Sequence, residues 1–203
     1  MIKTYQIVFI FLLIAQISCA QKSGSDFGDP KSRHFILVPE AHHLRSTHSQ
    51  TIYGASVMVG YRINPSLAAG IGCEISHTDS LLTHDRFTTV LKFTPIPMYA
   101  EARFDLIRNS IVTPYLNFAA GMSSITYERK RFDKSGSNLE DKSIYQSGLF
   151  FKGGLGLLFH ITNMISPSVN VSFKGFHVSG NPHEINPHGV TIQVGVVVKI
   201  GSR

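Results

Sequence analysis

From Arg33 onward the chain alternates apolar and polar side chains with a period of two, and no helical period is sustained. Successive side chains of a strand point to opposite faces, so this alternation predicts half-buried β-strands. In Thr51–Ile63 one face carries Tyr53, Ala55, Val57, Val59 and Tyr61, and the other Gly54, Ser56, Met58, Gly60 and Arg62. Leu67–Ile75 sets Leu67, Ala69, Ile71, Cys73 and Ile75 against Ala68, Gly70, Gly72 and Glu74. Leu149–Ile161 repeats the arrangement. Val190–Ile200 does so too, with Val190, Ile192, Val194, Val196, Val198 and Ile200 opposite Thr191, Gln193, Gly195 and Lys199. Segments 33–39, 87–106, 112–127 and 166–179 bring the expected strands to eight. The first of these does not alternate. Segment 87–106 contains Pro95 and Pro97, which cannot donate to a ladder. A bulge is expected there, moving the apolar face from Leu91 and Phe93 to Ile96, Met98, Ala100, Ala102 and Phe104.

The connections 40–50, 64–65, 77–86, 107–111, 128–144, 162–165 and 180–189 alternate long and short. Asn64-Pro65, Arg108-Asn109-Ser110 and Thr162-Asn163 carry the turn chemistry of short hairpins. Short turns at one end and long loops at the other predict an all-β fold, an eight-stranded antiparallel up-and-down transmembrane β-barrel with both termini at the turn end. The apolar faces decide its solvent. If they meet lipid, the opposite faces line the lumen and bring Arg62, Glu74, Glu101, Arg103, Asp105, Lys152, Lys174 and Lys199 inside. An eight-stranded lumen is filled by side chains, so these charges are expected to interlock as a plug rather than line a pore. Tyr53 and Tyr61, with Phe104 and Phe159, would supply aromatic girdles. The alternative is a soluble lipocalin-like small-ligand binder, which requires the two faces to be exchanged.

Composition agrees with the membrane reading. Charged residues make up 16% of the 203 and apolar residues 43%, against about 25% charged in an average soluble domain. Long disorder is excluded by that balance. The net charge of +6 does not imply a nucleic-acid partner, because the basic residues are scattered. Their one run, Arg129-Lys130-Arg131, sits beside Glu128 and Asp133. Residues 1–20 read as a signal peptide: Lys3, then nine apolar residues from Ile7 to Ala15, then Ser18-Cys19-Ala20 ahead of a cut before Gln21. Nine residues cannot cross a hydrocarbon layer of about 30 Å as a helix. A lipid on Cys19 is the alternative, but Gln16-Ile17-Ser18 lacks the leucine of a lipobox. Residues 21–32 would form a polar periplasmic tail and 33–203 the barrel. Cleavage removes Lys3 and Cys19, leaving Cys73 without an internal disulfide partner.

The region from Arg33 to Ile200 resembles the small outer-membrane β-barrel proteins of Gram-negative bacteria, the eight-stranded porin-like and OmpA-like barrels. The resemblance is carried by Gly54-Ala55-Ser56-Val57-Met58-Val59-Gly60-Tyr61, by Pro97-Met98-Tyr99-Ala100-Glu101-Ala102-Arg103-Phe104 and by Pro114-Tyr115-Leu116-Asn117-Phe118-Ala119-Ala120-Gly121. It implies export to the bacterial outer membrane, contact with outer-membrane lipid and with the outer-membrane assembly machinery, and a role in envelope integrity, adhesion or small-ligand contact. Such barrels usually end on an aromatic residue. This chain ends Val198-Lys199-Ile200-Gly201-Ser202-Arg203. The expected role is non-enzymatic, structural or surface-interacting, with an extracellular ligand meeting the longest loop, 128–144.

Two constellations could carry chemistry. Most of the ten histidines fall toward the long-loop end, among them His42, His43, His84 and His183, which are candidate metal ligands. His177-Val178-Ser179-Gly180-Asn181, followed by Glu184, is similar to the His-x-Ser-Asn segment of outer-membrane lipid A deacylases. That resemblance implies His177 as base, Ser179 as nucleophile and Glu184 as orienting carboxylate. Here Gly180 separates Ser179 from Asn181, where that family has the two adjacent. Phosphate-loop, dinucleotide and zinc-finger signatures are absent, so no cofactor is expected.

Overall fold

A computed structural model describes residues 34–47, 51–83, 87–107, 110–133, 138–178 and 188–200. The strands are β1 (Phe35–Ser46), β2 (Thr51–Arg62), β3 (Leu67–Thr83), β4 (Phe87–Asp105), β5 (Val112–Asp133), β6 (Asn138–Phe159), β7 (Ile165–Val178) and β8 (Gly189–Ile200). Each pairs antiparallel with its chain neighbours. β1 closes the sheet on β8, from Phe35 opposite Ile200 to Ser46 opposite Gly189. The expected signal peptide (1–20) and tail (21–32) lie outside the described residues.

The two faces are sorted as the alternation required. Ile71, Met98, Met122 and Phe118 point outward and are 61–73% exposed. On the opposite faces of the same strands Glu74, Tyr99, Ser123 and Asn117 point inward and are buried. The soluble lipocalin-like alternative therefore fails: the faces are not exchanged.

Three short turns close one end of the barrel. Asn64 Oδ1 accepts from the backbone N–H of Ser66 (2.9 Å) and Leu67 (2.8 Å). Thr162 Oγ1 accepts from Ile165 N–H at 2.9 Å. Each side chain thus supplies the acceptor that a tight turn needs.

The other end departs from the sequence reading. β1 does not stop at residue 39 but runs to Ser46. The expected loops 77–86 and 128–144 are mostly ladder, leaving only 84–86 and 134–137 between strands. The physical reason is visible on β5. Its outward positions are Leu116, Phe118, Ala120 and Met122, then Ser124, Thr126, Glu128 and Lys130. Above Met122 the outer face is polar, and once the inward Ile125 and Tyr127 are passed no apolar alternation is left, while backbone pairing continues. From Pro114 to Met122 the strand climbs about 21 Å at a tilt of about 40°, close to the ~25 Å apolar band of such barrels. Ser124–Asp133 then projects about 23 Å further.

The expected bulge in β4 is absent. Odd positions, Phe93 included, face inward along its described length, and pairing with β5 keeps one register from Phe87–Asp133 to Asp105–Tyr115. A Cβ on Gly121 of β5 would abut the Met98 carbonyl, so even positions of β4 turn their backbone groups toward β5. Pro95 and Pro97 therefore direct their missing donors toward β3. There the ladder opens between Cys73–Met98 and Thr78–Phe93 without changing register. Pro39 is accommodated in the same way, the β1–β8 pairs stopping at Leu37–Val198 and resuming at Glu40–Gly195.

Inward glycines make room for large rings. A Cβ at Gly72 would lie 2.6 Å from the Tyr99 ring, and one at Gly156 would run into that of Tyr115. Gly72→Val should cost about 1–3 kcal/mol by overpacking, whereas Cys73→Val, one residue along on the outer face, should change stability by less than about 0.5 kcal/mol. Denaturant titration followed by the folded-to-unfolded gel shift measures both.

Candidate functional site

The lumen is built in layers. Nearest the short turns, Ile36, Val38, Met58, Ala68, Tyr115, Leu158 and Val197 form one apolar cluster. Toward the tall end, Leu44, Ile52, Phe93, Tyr99, Ala119, Ile125, Tyr127, Phe150 and Phe176 form another. Rings dominate the second: Tyr99 packs at 5.3 Å and a tilt of 37° on Phe150, which meets Phe176 at 5.2 Å.

Between these layers lies a charged belt. Glu101 takes both Arg103 Nε and Lys152 Nζ at 2.7 Å. Arg103 Nη2 reaches across to Glu40 at 2.7 Å. Lys174 Nζ donates to Glu74 Oε2 at 2.7 Å, and Ser76 Oγ donates to Glu74 Oε1 at 2.9 Å. His42 Nε2 lies 2.9 Å from Ser76 Oγ and 3.2 Å from Glu74 Oε1. Gln193 Nε2 donates to Glu40 at 3.3 Å and its carbonyl accepts from Ser172. Lys152 lies 5.1 Å from the centre of the Tyr99 ring, and Arg103 5.5 Å from that of Tyr115. These two cation–π contacts tie the belt to the layers above and below it. Three carboxylates, Glu40, Glu74 and Glu101, thus face three cations, Arg103, Lys152 and Lys174, all buried.

At the turn end, Arg62 Nη1 donates to Asp105 at 2.7 Å and to the Pro65 carbonyl at 2.9 Å. Lys199 is half-buried nearby and feels the charges of both Arg62 and Asp105. In the adjoining turn His160 is held between Thr113 (3.0 Å) and Ser166 (3.1 Å). Burial first, then Lys199, holds its imidazole below the usual 6.5.

All the charges that the alternation turned inward lie on inward or rim positions. Glu40 and His42 were missed, because they were read into a loop. Continuing the period-two count from Ile36 through Val38 to Glu40, His42 and Leu44 would have found them. Phe93, read as outward, is an inward core residue.

The candidate metal ligands His42 and His43 project to opposite faces of β1 and cannot share an ion. His84 and His183 lie outside the described residues, as do Ser179 and Glu184 of the deacylase-like constellation. His177 is exposed on the outer face of β7, opposite Leu149. Among the described residues no group of three His, Cys, Asp or Glu could hold a metal ion.

No protein-family model matches the chain, and no curated protein matches its sequence. Solved structures do. Neisserial surface protein A (NspA) aligns over 83% of this chain and 97% of its own, with a TM-score of 0.53 and 17% identity. A major outer membrane protein from Thermus thermophilus aligns over 83% and 100%, with a TM-score of 0.58 and 11% identity. The chain has the fold of the small outer-membrane β-barrels. The outer membrane protein OprG from Pseudomonas aeruginosa shares that fold as well, at a TM-score of 0.54 and 9% identity over 86% of this chain and 98% of its own.

Removing one member of the belt leaves a buried ion unpaired. Lys174→Met should destabilise the barrel by about 3–5 kcal/mol, and adding Glu74→Gln should restore much of that loss. Paired denaturant titrations of the single and double variants read the difference. His160 gives a separate pH effect. Its depressed affinity for a proton means that the unfolded chain binds protons more readily below about 6.5. Stability is therefore held above that pH and declines as pH falls toward the lower, folded value. His160→Gln should flatten this decline in titrations repeated between about pH 7.5 and 5.

Proposed function

We propose that the chain is a non-enzymatic protein of the bacterial outer membrane, exported through a cleaved signal peptide at residues 1–20. Its barrel is a sealed anchor, and it carries a surface contact on its tall end. The observation that carries this reading is the inversion of the barrel: apolar side chains outside, and a lumen filled by two apolar clusters around a paired charged belt. Lipid offers no partner to a polar side chain, so the first feature suits a hydrocarbon surround. The second argues against a through-channel. The short turns and termini would then face the periplasm.

The contact surface in this reading is the β5–β6 hairpin within 128–144. It stands above the apolar band and bears an exposed Lys130–Asp141 pair at 3.4 Å. Exposed ion pairs contribute little to stability, which leaves this rim free to vary toward a partner. The partners are outer-membrane lipid, the assembly machinery during insertion, and an extracellular ligand at the hairpin.

Detergent-extracted protein should migrate faster unboiled than boiled, because a closed barrel stays compact in detergent. Protein reconstituted in planar bilayers should give no stepwise conductance. Protein that stays in buffer without detergent and shows no gel shift would end the membrane reading. Reproducible single-channel steps would end the sealed-anchor reading.

A further inference from the structure

A collar of aliphatic side chains edges the three short turns, beyond the aromatic girdle of that end. Two residues after each girdle ring, nearer the turn, stands an exposed aliphatic group: Ile63 after Tyr61, Leu106 after Phe104 and Ile161 after Phe159. Ile111 and Met164, in the second and third turns, complete the collar, and the five are 46–68% exposed. The girdle itself is packed, with Phe35 edge-on to Tyr61 at 5.2 Å. Turn residues of this kind ordinarily meet water, which aliphatic groups do not suit.

Three properties of this end suit lipid instead. The backbone of the collar is paired: Leu106 N–H donates to the Pro114 carbonyl, His160 N–H to that of Ile111 and Lys199 N–H to that of Met164, each at 2.8 Å. Ile63 N–H donates to the Leu67 carbonyl at 2.9 Å. Hydrogen bonding thus runs through the collar, as hydrocarbon demands of a backbone. Among the described residues of this end, the ionisable side chains His34, Arg62, Asp105, His160 and Lys199 all take inward positions. No outward polar side chain therefore separates girdle from collar, since Arg62, Asp105 and His160 are the residues between them. A protein-docking patch carries a polar rim; this one is continuous with the lipid-facing band. Height agrees. From Val112 to Met122 β5 climbs about 26 Å at a tilt of about 40°, and one further row adds about 5 Å. The apolar exterior then stands about 31 Å tall, nearer the ~30 Å hydrocarbon layer of an ordinary bilayer than the ~25 Å band of such barrels.

We propose that the collar is a lipid-docking surface, immersed in phospholipid acyl chains of the leaflet on the turn side. Only the polar tips, Asn64 and Thr162-Asn163, then reach the headgroups, and Asn64 and Thr162 are the residues whose side chains close the turns. A bilayer with a thinner core must thicken locally, or let the barrel tilt, to cover the extra row. The proposal rests on the outer-membrane reading above.

The chain contains no tryptophan, so single substitutions give unmixed fluorescence. Ile63→Trp, Leu106→Trp and Ile161→Trp probe the collar, Asn163→Trp a turn tip and Val59→Trp the middle of the band. Each full-length variant, with its gel shift intact, is reconstituted in phosphatidylcholine vesicles. One set carries bromines on the acyl chains near the headgroup, and the other is titrated with iodide in the buffer. Bromolipid should quench the three collar variants at least about half as strongly as Val59→Trp, and iodide should quench them several-fold less than Asn163→Trp. Iodide quenching of the collar as strong as that of Asn163→Trp, without bromolipid quenching, overturns the proposal. Protection from both quenchers that gives way to bromolipid on dilution into excess lipid makes a second copy the occupant, which overturns it too. Failure of bromolipid to quench Val59→Trp would instead end the membrane reading and the proposal with it, so the two failures are distinguishable.

Discussion

A closed sheet surrounded by hydrocarbon has nowhere to send a polar group except inward or to its own ladder, and every other feature of this chain follows from that constraint. The backbone satisfies it by closing β1 on β8, which leaves no open edge. The side chains satisfy it by turning Glu40, Glu74, Glu101, Arg103, Lys152 and Lys174 into the lumen, where each carboxylate finds a cation at 2.7 Å. Buried ion pairs are poor sources of net stability, because desolvation costs about as much as the attraction returns. Their effect here is on register: a strand slipped by one residue would send a charge into lipid and an outward residue such as Ile75, Phe151 or Phe173 into the belt.

The belt would be a conduit if it stood alone. It is closed by Tyr115 and Leu158 on one side, and by Tyr99, Phe150 and Phe176 on the other. Glycines 72 and 156 permit this by giving the two tyrosine rings space that any larger residue would occupy. A barrel so filled is a rigid pedestal. Its variable element is height: β1, β2 and β8 are 12 residues long and only just span the apolar band, while β5 and β6 are 22 and rise above it. The surface at which binding could evolve is therefore concentrated on one side of the rim.

The fold was legible wherever one face meets lipid and the other does not. Val57, Val59, Ile71 and Ile75 against Ser56, Gly60, Gly72 and Glu74 define strands, faces and solvent together. Legibility failed where that contrast fades. Above Met122 the outer face turns polar, and beyond Tyr127 the run Glu128-Arg129-Lys130-Arg131 shows no apolar alternation, so the tops of β5 and β6 read as a loop. In β1 the inward Ile36 and Val38 are as apolar as the outward Phe35 and Leu37, so Glu40 and His42 seemed to begin a loop. The prolines of β4 misled in a third way. Proline removes a donor from only one side of a strand, and the unbroken β4–β5 ladder, with the β3–β4 pairs on either side of the gap, keeps the register. Inward aromatics such as Phe93 and Phe150 carry no mark of facing inward, since a ring suits lipid and core equally.

The central claim is that even and odd positions of a strand meet different media, and β3 offers the cleanest place to measure it. In a Cys73→Ser background, nitroxide labels at successive positions from 70 to 75 report collision rates with oxygen and with a water-soluble relaxant. The account expects oxygen accessibility to peak at 71, 73 and 75 and to collapse at 70, 72 and 74, with the water-soluble reagent excluded throughout. Peaks at 70, 72 and 74, or uniform access of the water-soluble reagent, would contradict it.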